Sequence, residues 1–401
     1  MPDVPTALPS RQMLVWEVFL AFFMLGLTSF GGPIAHIGYF RDELVLRRRW
    51  LSDAHFADLV ALCQFLPGPA SSQLGFALGI LRSGSLWGGL AAWTAFTVPS
   101  AAVLILFGLG LAHGDGLEGP LHGLKLVAVA VVAQAVWGMA RTLAPDRVRA
   151  GIALAAATSA LLLAGAFGQS VAILAGVVAG LAFCRGETAL PSSGLPIPIS
   201  ARRSCSALAL WAALLIGLPL IAALTHCHAA EFISAFYQAG ALVFGGGHVV
   251  LPLLQTAVVA PGWVSPADFL AGYGLAQAVP GPLFTFAAYL GAVAGPSPTG
   301  IVGAAIALVA IFLPGLLLVY GTLPFWNRLR SQPQLQAALR GANAAVVGIL
   351  GAALYTPVWT SAVLTPLDFL MALAGFLALT VWRLPPWIVV AGLAAGSWVL
   401  A

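Results

Sequence analysis

The stretch Gln64-Phe65-Leu66-Pro67-Gly68-Pro69 returns 213 positions later as Gln277-Ala278-Val279-Pro280-Gly281-Pro282. Upstream of each copy, Phe30-Gly31-Gly32 returns as Phe244-Gly245-Gly246 at an offset of 214. Landmarks that recur in one order at one spacing indicate an internal duplication. The sequence therefore predicts two homologous halves, each with one FGG motif and one PGP motif.

The chain around these motifs is too apolar for a soluble protein. Hydrophobic residues make up 60% of the 401 residues and charged residues only 7%, whereas charged residues are about 25% of a soluble domain. The uncharged run from Leu86 to Leu111 exceeds the roughly 20 residues that a helix needs to cross a bilayer. We predict an all-α polytopic membrane protein whose helices are broken, or folded into re-entrant hairpins, at the Gly/Pro motifs.

The domain boundaries follow from the repeat and from one polar interruption. Residues 185–206 contain three arginines, a glutamate and several prolines, which is typical of an exposed linker. We therefore predict a disordered segment at 1–12, a first repeat at 13–184, a cytoplasmic linker at 185–206 and a second repeat at 207–401.

Charge placement predicts that the two repeats have opposite orientations. The segment 41–49 carries four arginines, whereas its counterpart, 255–262, carries no charge. The loop at 110–123 contains two acidic residues and no lysine or arginine, whereas 324–340 contains three arginines. Because basic residues concentrate in cytoplasmic loops, these patterns favour inverted-topology repeats.

The broken helices are the predicted substrate site. A helix interrupted by Gly or Pro exposes backbone N–H groups and the positive end of its dipole, and both attract an anion. Helix kinking for close packing is the competing interpretation, as is small-residue packing for the two serines. The predicted substrate-binding residues are Ser29, Gly31, Gly32, Pro33, His36, Gln64, Pro67, Gly68, Pro69, Ser71, Ser72, Gly245, Gly246, Gly247, His248, Gln277, Pro280, Gly281, Pro282 and Thr285.

Ionisable residues are rare in membrane segments and often functional there. Coupling or steering roles are predicted for Arg41, Glu43, Asp58, Lys125 and Arg340. The alternative is a solvated edge for the first two and snorkelling to the interface for the last two.

Other site chemistries lack support in the sequence. His226-Cys227-His228 is a weak metal pattern, so no metal or other cofactor is expected. No nucleophile–base pair, HExxH motif or P-loop is present, which argues against an enzyme and against a primary pump. The basic residues lie between apolar runs, so nucleic acid is not an expected partner.

These motifs together resemble the chromate ion transporter family in its long, two-domain form. The resemblance rests on Phe30-Gly31-Gly32-Pro33 with His36, on Asp42-Glu43 with Trp50-Leu51, on both PGP motifs, and on Phe244-Gly245-Gly246-Gly247-His248. It extends over roughly residues 14–360.

The resemblance implies export of chromate from the bacterial cytoplasm by the proton-motive force, with sulfate as a competing analogue, and hence chromate resistance. It places the chain in the bacterial inner membrane, with the bilayer, an oxyanion and protons as partners; a homodimer is a further expectation. A sulfate or other oxyanion importer and an anion channel are the alternatives.

Overall fold

A computed structural model describes residues 10–30, 32–111, 118–163, 165–184, 197–244, 249–295, 297–329 and 332–400, and every regular element in these ranges is helical. The first half contains α1 (Arg11–Thr28), α2 (Gly32–Phe40), α3 (Asp53–Phe65), α4 (Ala70–Ser83), α5 (Leu86–Leu111), α6 (Glu118–Leu143), α7 (Arg147–Leu162) and α8 (Gly165–Phe183). A π-helical segment, Arg41–Arg47, continues α2.

The second half repeats this order. It contains α9 (Ala201–Thr225), α10 (His228–Ala241), α11 (Val250–Leu254), α12 (Pro266–Ala278), α13 (Phe286–Val293), α14 (Gly300–Thr322), α15 (Trp326–Leu329), α16 (Pro333–Ala353), α17 (Thr360–Ala362), α18 (Pro366–Thr380) and α19 (Pro386–Leu400). Short π and 3₁₀ segments lie at 255–259, 283–285, 323–325 and 354–359. Most of the predicted segments 1–12 and 185–206 lies outside the described residues, and the last part of the predicted linker is helical because α9 begins at Ala201.

Six helices in the described ranges are long and apolar enough to cross a membrane, by length and composition. They are α1, α5, α6, α9, α14 and the segment that begins with α16. One of them, α5, coincides with the uncharged run from Leu86 to Leu111. This confirms the predicted all-α membrane fold.

The helices break at the repeated motifs, as predicted. Ser52 caps α3 by accepting from the amide of His55, and Ser265 caps α12 by accepting from the amide of Asp268. Both helices end just before the residue that precedes the first proline of each PGP motif, because proline disfavours helical geometry in the residue before it. At 13 residues each, α3 and α12 are too short to cross a bilayer of about 30 Å alone.

The halves exchange one long helix each. Helix α6 of the first half packs against α18 and α19 of the second, and α16 of the second half packs against α7 and α8 of the first. Glycines make both contacts possible: Gly123 lies against the backbone of Leu393, and Gly180 against the backbone of Ala337. Neither half can bury its own long helix without the other.

The exchange is not symmetric at the short helices before the PGP motifs. Helix α12 packs closely against α6, where Gly274 lies against the carbonyl of Leu124. Its counterpart α3 makes no comparable contact with α16 within the described residues. As a result Gln64 on α3 is exposed, whereas its mate Gln277 is only partly exposed. The two repeats are therefore packed unequally around these two short helices.

Candidate functional site

Both PGP motifs form turns that only glycine adopts readily. Gly68 has φ of +122° and Gly281 has φ of +105°, a region that side chains with a Cβ rarely enter. The amide of Gly68 donates to the carbonyl of Val243 at 2.7 Å, and the amide of Gly281 donates to the carbonyl of Ser29 at 2.9 Å. Each turn is thus bonded to the residue before the FGG motif of the other half.

Each turn also packs on the proline-containing helix of the other half. A Cβ on Gly68 would lie 3.1 Å from Cα of Gly315 in α14, and one on Gly281 would lie 2.8 Å from Oγ of Ser100 in α5. Ser100 follows Pro99, and Gly315 follows Pro314. Each PGP turn therefore meets the residue before the FGG motif and the residue after the helix proline of the other half, and these contacts form a centre between the repeats.

Helix α4 begins at this centre, directly after the PGP turn. Pro69 precedes the helix, and no side chain caps its first turn. Gln73 fixes the turn, because its Nε2 donates to the carbonyl of Pro67 at 2.9 Å and to that of Gly315 at 3.1 Å. An uncapped helix start of this kind favours an anion.

Close packing between α4 and α5 sets the depth of Ser72. Gly79 lies against Gly88, and Phe76 lies against Gly89, so the two helices run antiparallel. One helical turn before Phe76, Ser72 therefore lies at the level of Trp93 and the residues after it.

His36 approaches the same level from α2. Its side chain is fully buried, and its ring meets Phe96 edge-on with the ring centroids 5.3 Å apart. Neither ring nitrogen makes a hydrogen bond to a described residue. The backbone of Ser29 interacts electrostatically with the ring. It is not in hydrogen-bonding geometry with either ring nitrogen.

Several other buried polar atoms near this level have no hydrogen-bond partner in the described part of the chain. They are Oγ of Ser29, Oγ of Ser72, Oε1 of Gln73, Nε1 of Trp93, Oγ1 of Thr97 and Nε2 of Gln277. Most can donate a hydrogen bond. Buried polar groups in proteins are nearly always paired, so this set indicates a place for a ligand that accepts hydrogen bonds.

The second half contributes mainly apolar groups at the equivalent positions. Phe312, the counterpart of Thr97, packs on Trp93 with ring centroids 5.7 Å apart and on Phe284 at 5.8 Å. Thr285, the counterpart of Ser72, is satisfied by the carbonyl of Pro282 at 2.7 Å. The side chains without partners thus come mostly from the first repeat.

The structure brings together most of the predicted substrate-binding residues it describes. Ser29, His36, Ser71, Ser72 and Thr285 are buried, and the backbones of both PGP turns lie beside them. Gln64 is the exception, because it is exposed. Gly31, Gly245, Gly246, Gly247 and His248 lie outside the described residues, and the assignment of all these residues to substrate stays a prediction.

Two of the predicted coupling residues, Arg41 and Glu43, form ion pairs with neighbouring charged side chains. Arg41 pairs with Asp53 at 2.8 Å at an exposed edge. Burial alone would raise the pKa of Glu43, but hydrogen bonds from Arg48 and Arg47 outweigh it and hold the pKa below its usual value. Arg41 therefore has the geometry of a solvated edge, whereas Glu43 is a partly buried carboxylate held by two arginines.

The other three, Arg340, Lys125 and Asp58, lie on α16, α6 and α3 respectively. Arg340 donates to the carbonyl of Cys184 at 3.1 Å and to Oε1 of Gln336 at 3.2 Å. Lys125 follows Leu124 in α6, and Asp58 is partly buried on α3. Their coupling roles remain predictions.

The sequence reasoning missed Trp93 and Thr97 as candidate site residues. They lie four residues apart on α5, on one face, inside a run read only as an apolar crossing. The sequence does contain a signal for Thr97, which lies two residues before Pro99 in a predicted helix without charged residues. A polar side chain beside a proline in a membrane helix points toward protein or a cavity.

Comparison with known sequences agrees with this architecture. The sequence profile described as chromate transporter matches residues 16–181 and again residues 230–398. The chain belongs to the chromate transporter family. Two matched regions in one chain agree with an internal duplication. Membership makes the chain a multi-pass protein of the bacterial inner membrane whose substrate is an oxyanion.

Relatives in this family align over nearly the whole chain. The chromate transport protein of Pseudomonas aeruginosa is 31% identical over 98% of this chain and 94% of its own length. The probable chromate transport protein of Synechococcus elongatus is 27% identical over 83% of this chain and 81% of its own, and the chromate transport protein of Cupriavidus metallidurans is 25% identical over 94% and 91%. No solved structure matches the chain.

Proposed function

We propose that the chain is a secondary transporter that exports chromate from the cytoplasm and so confers chromate resistance. The observation that carries this proposal is the set of buried polar side chains around Phe96 that lack partners among the described residues. Chromate is a tetrahedral dianion whose oxygens accept hydrogen bonds. Hydroxyl, indole and imidazole donors beside an uncapped helix start suit such a ligand.

The unequal packing of α3 and α12 supports a carrier mechanism. Helix α12 packs closely on α6, whereas α3 makes no comparable contact with α16 in the described ranges, and we infer from this that one side of the centre is closed and the other open. The four arginines that precede α3 favour the cytoplasm as the open side. In the alternate state α3 closes on α16 while α12 leaves α6. A channel would need both sides open at once, so this asymmetry favours the carrier over the channel.

Membrane potential can drive the export. Moving one elementary charge across 100 mV is worth about 2.3 kcal/mol, and an inside-negative potential expels a dianion. We propose that the electrical part of the proton-motive force provides the driving energy. A sulfate importer would need a coupled cation or proton to overcome the same potential.

The experiment is flux through the purified protein in liposomes. Radiolabelled chromate and sulfate are loaded inside, and a potassium gradient with valinomycin sets a potential of either sign. We expect saturable chromate efflux that rises when the inside is negative and that sulfate inhibits. No protein-dependent flux of either ion would contradict the transport proposal, whereas uptake driven only by a pH gradient would favour the importer.

A further inference from the structure

We propose that His36 takes up one proton whenever the dianion binds, so that anion and proton occupy the site together. This inference rests on the proposed function, because it concerns the same site. It also names a proton carrier, His36, that is not among the predicted coupling residues Arg41, Glu43, Asp58, Lys125 and Arg340.

The burial of His36 makes its charge depend on what binds beside it. The side chain is fully buried against Phe96, and no described residue accepts a hydrogen bond from either ring nitrogen. A charged imidazolium in such a place is costly unless an anion accompanies it. A bound dianion supplies that charge and accepts the ring N–H.

Charged groups on the elements around His36 do not supply the negative charge that a protonated ring needs. Helix α2 packs against α4 and the π segment 41–47, and the ring touches α5, which has no ionisable residue. Most of the charged side chains on the neighbouring elements are paired with one another. The pairs are Arg82 with Glu17, Arg41 with Asp53, and Glu43 with both Arg47 and Arg48. Asp42 and Tyr39 are exposed.

The other unpartnered groups at this level cannot carry the proton. Ser29, Ser72, Thr97 and Trp93 do not titrate near neutral pH, whereas imidazole does. The proton comes from water on the open side, and it adds to a ring nitrogen as the dianion enters. The occupied site then carries one negative charge less than the anion alone, and release of the anion returns the proton to water.

Proton uptake during sulfate binding tests the proposal. Sulfate is the probe because it binds no proton near neutral pH, so any proton taken up belongs to the protein. The full-length protein in nanodiscs is titrated with sodium sulfate by calorimetry in buffers of different ionisation enthalpy. Above the titration range of the histidine we expect uptake of about one proton per sulfate and an affinity that falls about tenfold for each unit of pH.

His36→Asn and the exposed His226→Asn form the matched pair of variants. The first should bind sulfate more weakly, without proton uptake and without dependence on pH; the second should behave as the unchanged protein. Sulfate binding by the unchanged protein without proton uptake would overturn the role of His36, and so would full uptake in His36→Asn. Absence of both sulfate and chromate binding would instead contradict the proposed function itself, and this inference with it.

Discussion

The backbone amide of Gly281 in the second repeat donates a hydrogen bond of 2.9 Å to the carbonyl of Ser29 in the first. The equivalent amide of Gly68 in the first repeat donates at 2.7 Å to the carbonyl of Val243 in the second. The two repeats therefore complete each other at the centre. A substrate bound there contacts both halves, so a change in how the halves pack is transmitted to the site.

Replacement of Gly281 should abolish transport while the protein still reaches the membrane. In Gly281→Ala the Cβ would meet Ser100, and a positive φ costs a residue other than glycine roughly 1–2 kcal/mol. We expect chromate efflux to fall about tenfold or more, since about 1.4 kcal/mol corresponds to a factor of ten. Gly217→Ala is the control, because nothing lies near that position. Equal efflux from both variants would show that the turn is not part of the site.

Loss of the Thr97 hydroxyl should weaken anion binding. A hydrogen bond to a charged ligand contributes about 1.5–3 kcal/mol, so Thr97→Val should raise the dissociation constant for sulfate by roughly ten- to a hundredfold. Thr158→Val is the matched control, because that hydroxyl is exposed and donates to Leu154 within its own helix. Sulfate affinity measured by calorimetry decides, and an unchanged affinity in Thr97→Val would remove this residue from the site.

Cross-linking should detect the alternate state of the carrier. Gly274 of α12 lies against Leu124 of α6. The residues at the same positions of the other repeat are Ala61 of α3 and Leu339 of α16. In a chain whose native cysteines are replaced, Ala61→Cys with Leu339→Cys should form a disulfide during transport and then block it. Reduction should restore flux.

Each single cysteine variant is the control for that experiment. Oxidation should leave their flux unchanged. A double variant that never cross-links, with or without chromate, would contradict closure of α3 on α16.

Cysteine labels should also reveal the relative orientation of the repeats. Leu46 follows the first FGG motif, and Ala260 occupies the corresponding region of the second half; both are exposed. Opposite orientations predict that an impermeant maleimide reaches Leu46→Cys only from the cytoplasmic side and Ala260→Cys only from the outside. Labelling of both from one side would show parallel repeats.

The two halves should need each other to fold. Because α6 is buried by α18 and α19, and α16 by α7 and α8, either half alone exposes a helix surface made for the other. A chain cut between residues 190 and 191 should transport when both pieces are co-expressed, and each piece alone should be degraded. Stable accumulation of one piece in the membrane, measured by immunoblot, would contradict this dependence.

Much of the fold could be read from local patterns. The uncharged run from Leu86 to Leu111 predicts α5 closely, and the repeated prolines of the PGP motifs predict where α3 and α12 end. These features depend on hydrophobic length and on the steric effect of proline, which act within a few residues. The start of α9 at Ala201 was harder to place, because Arg202 and Arg203 fit both a loop and the first turn of a helix.

The candidate site was predictable only in part. Ser29, His36 and Ser72 lie next to conspicuous Gly and Pro breaks, so their positions could be inferred. Trp93 and Thr97 lie in an unbroken apolar helix, and only the packing of Phe76 on Gly89 brings that face of α5 beside Ser72. Long-range helix packing of this kind leaves little trace in the neighbouring sequence.

By itself, the sequence determined the membrane class, the duplication and the breaks at Gly68 and Gly281, because hydrophobic length and backbone sterics are local properties. Only the tertiary structure decided that the turn of each half bonds to the other half and that α12 packs on α6 while α3 makes no comparable contact with α16 in the described ranges. Two repeats with similar motifs can pack against each other symmetrically or asymmetrically. The choice depends on the summed contacts of α6 and α16 with distant helices, which no local pattern specifies.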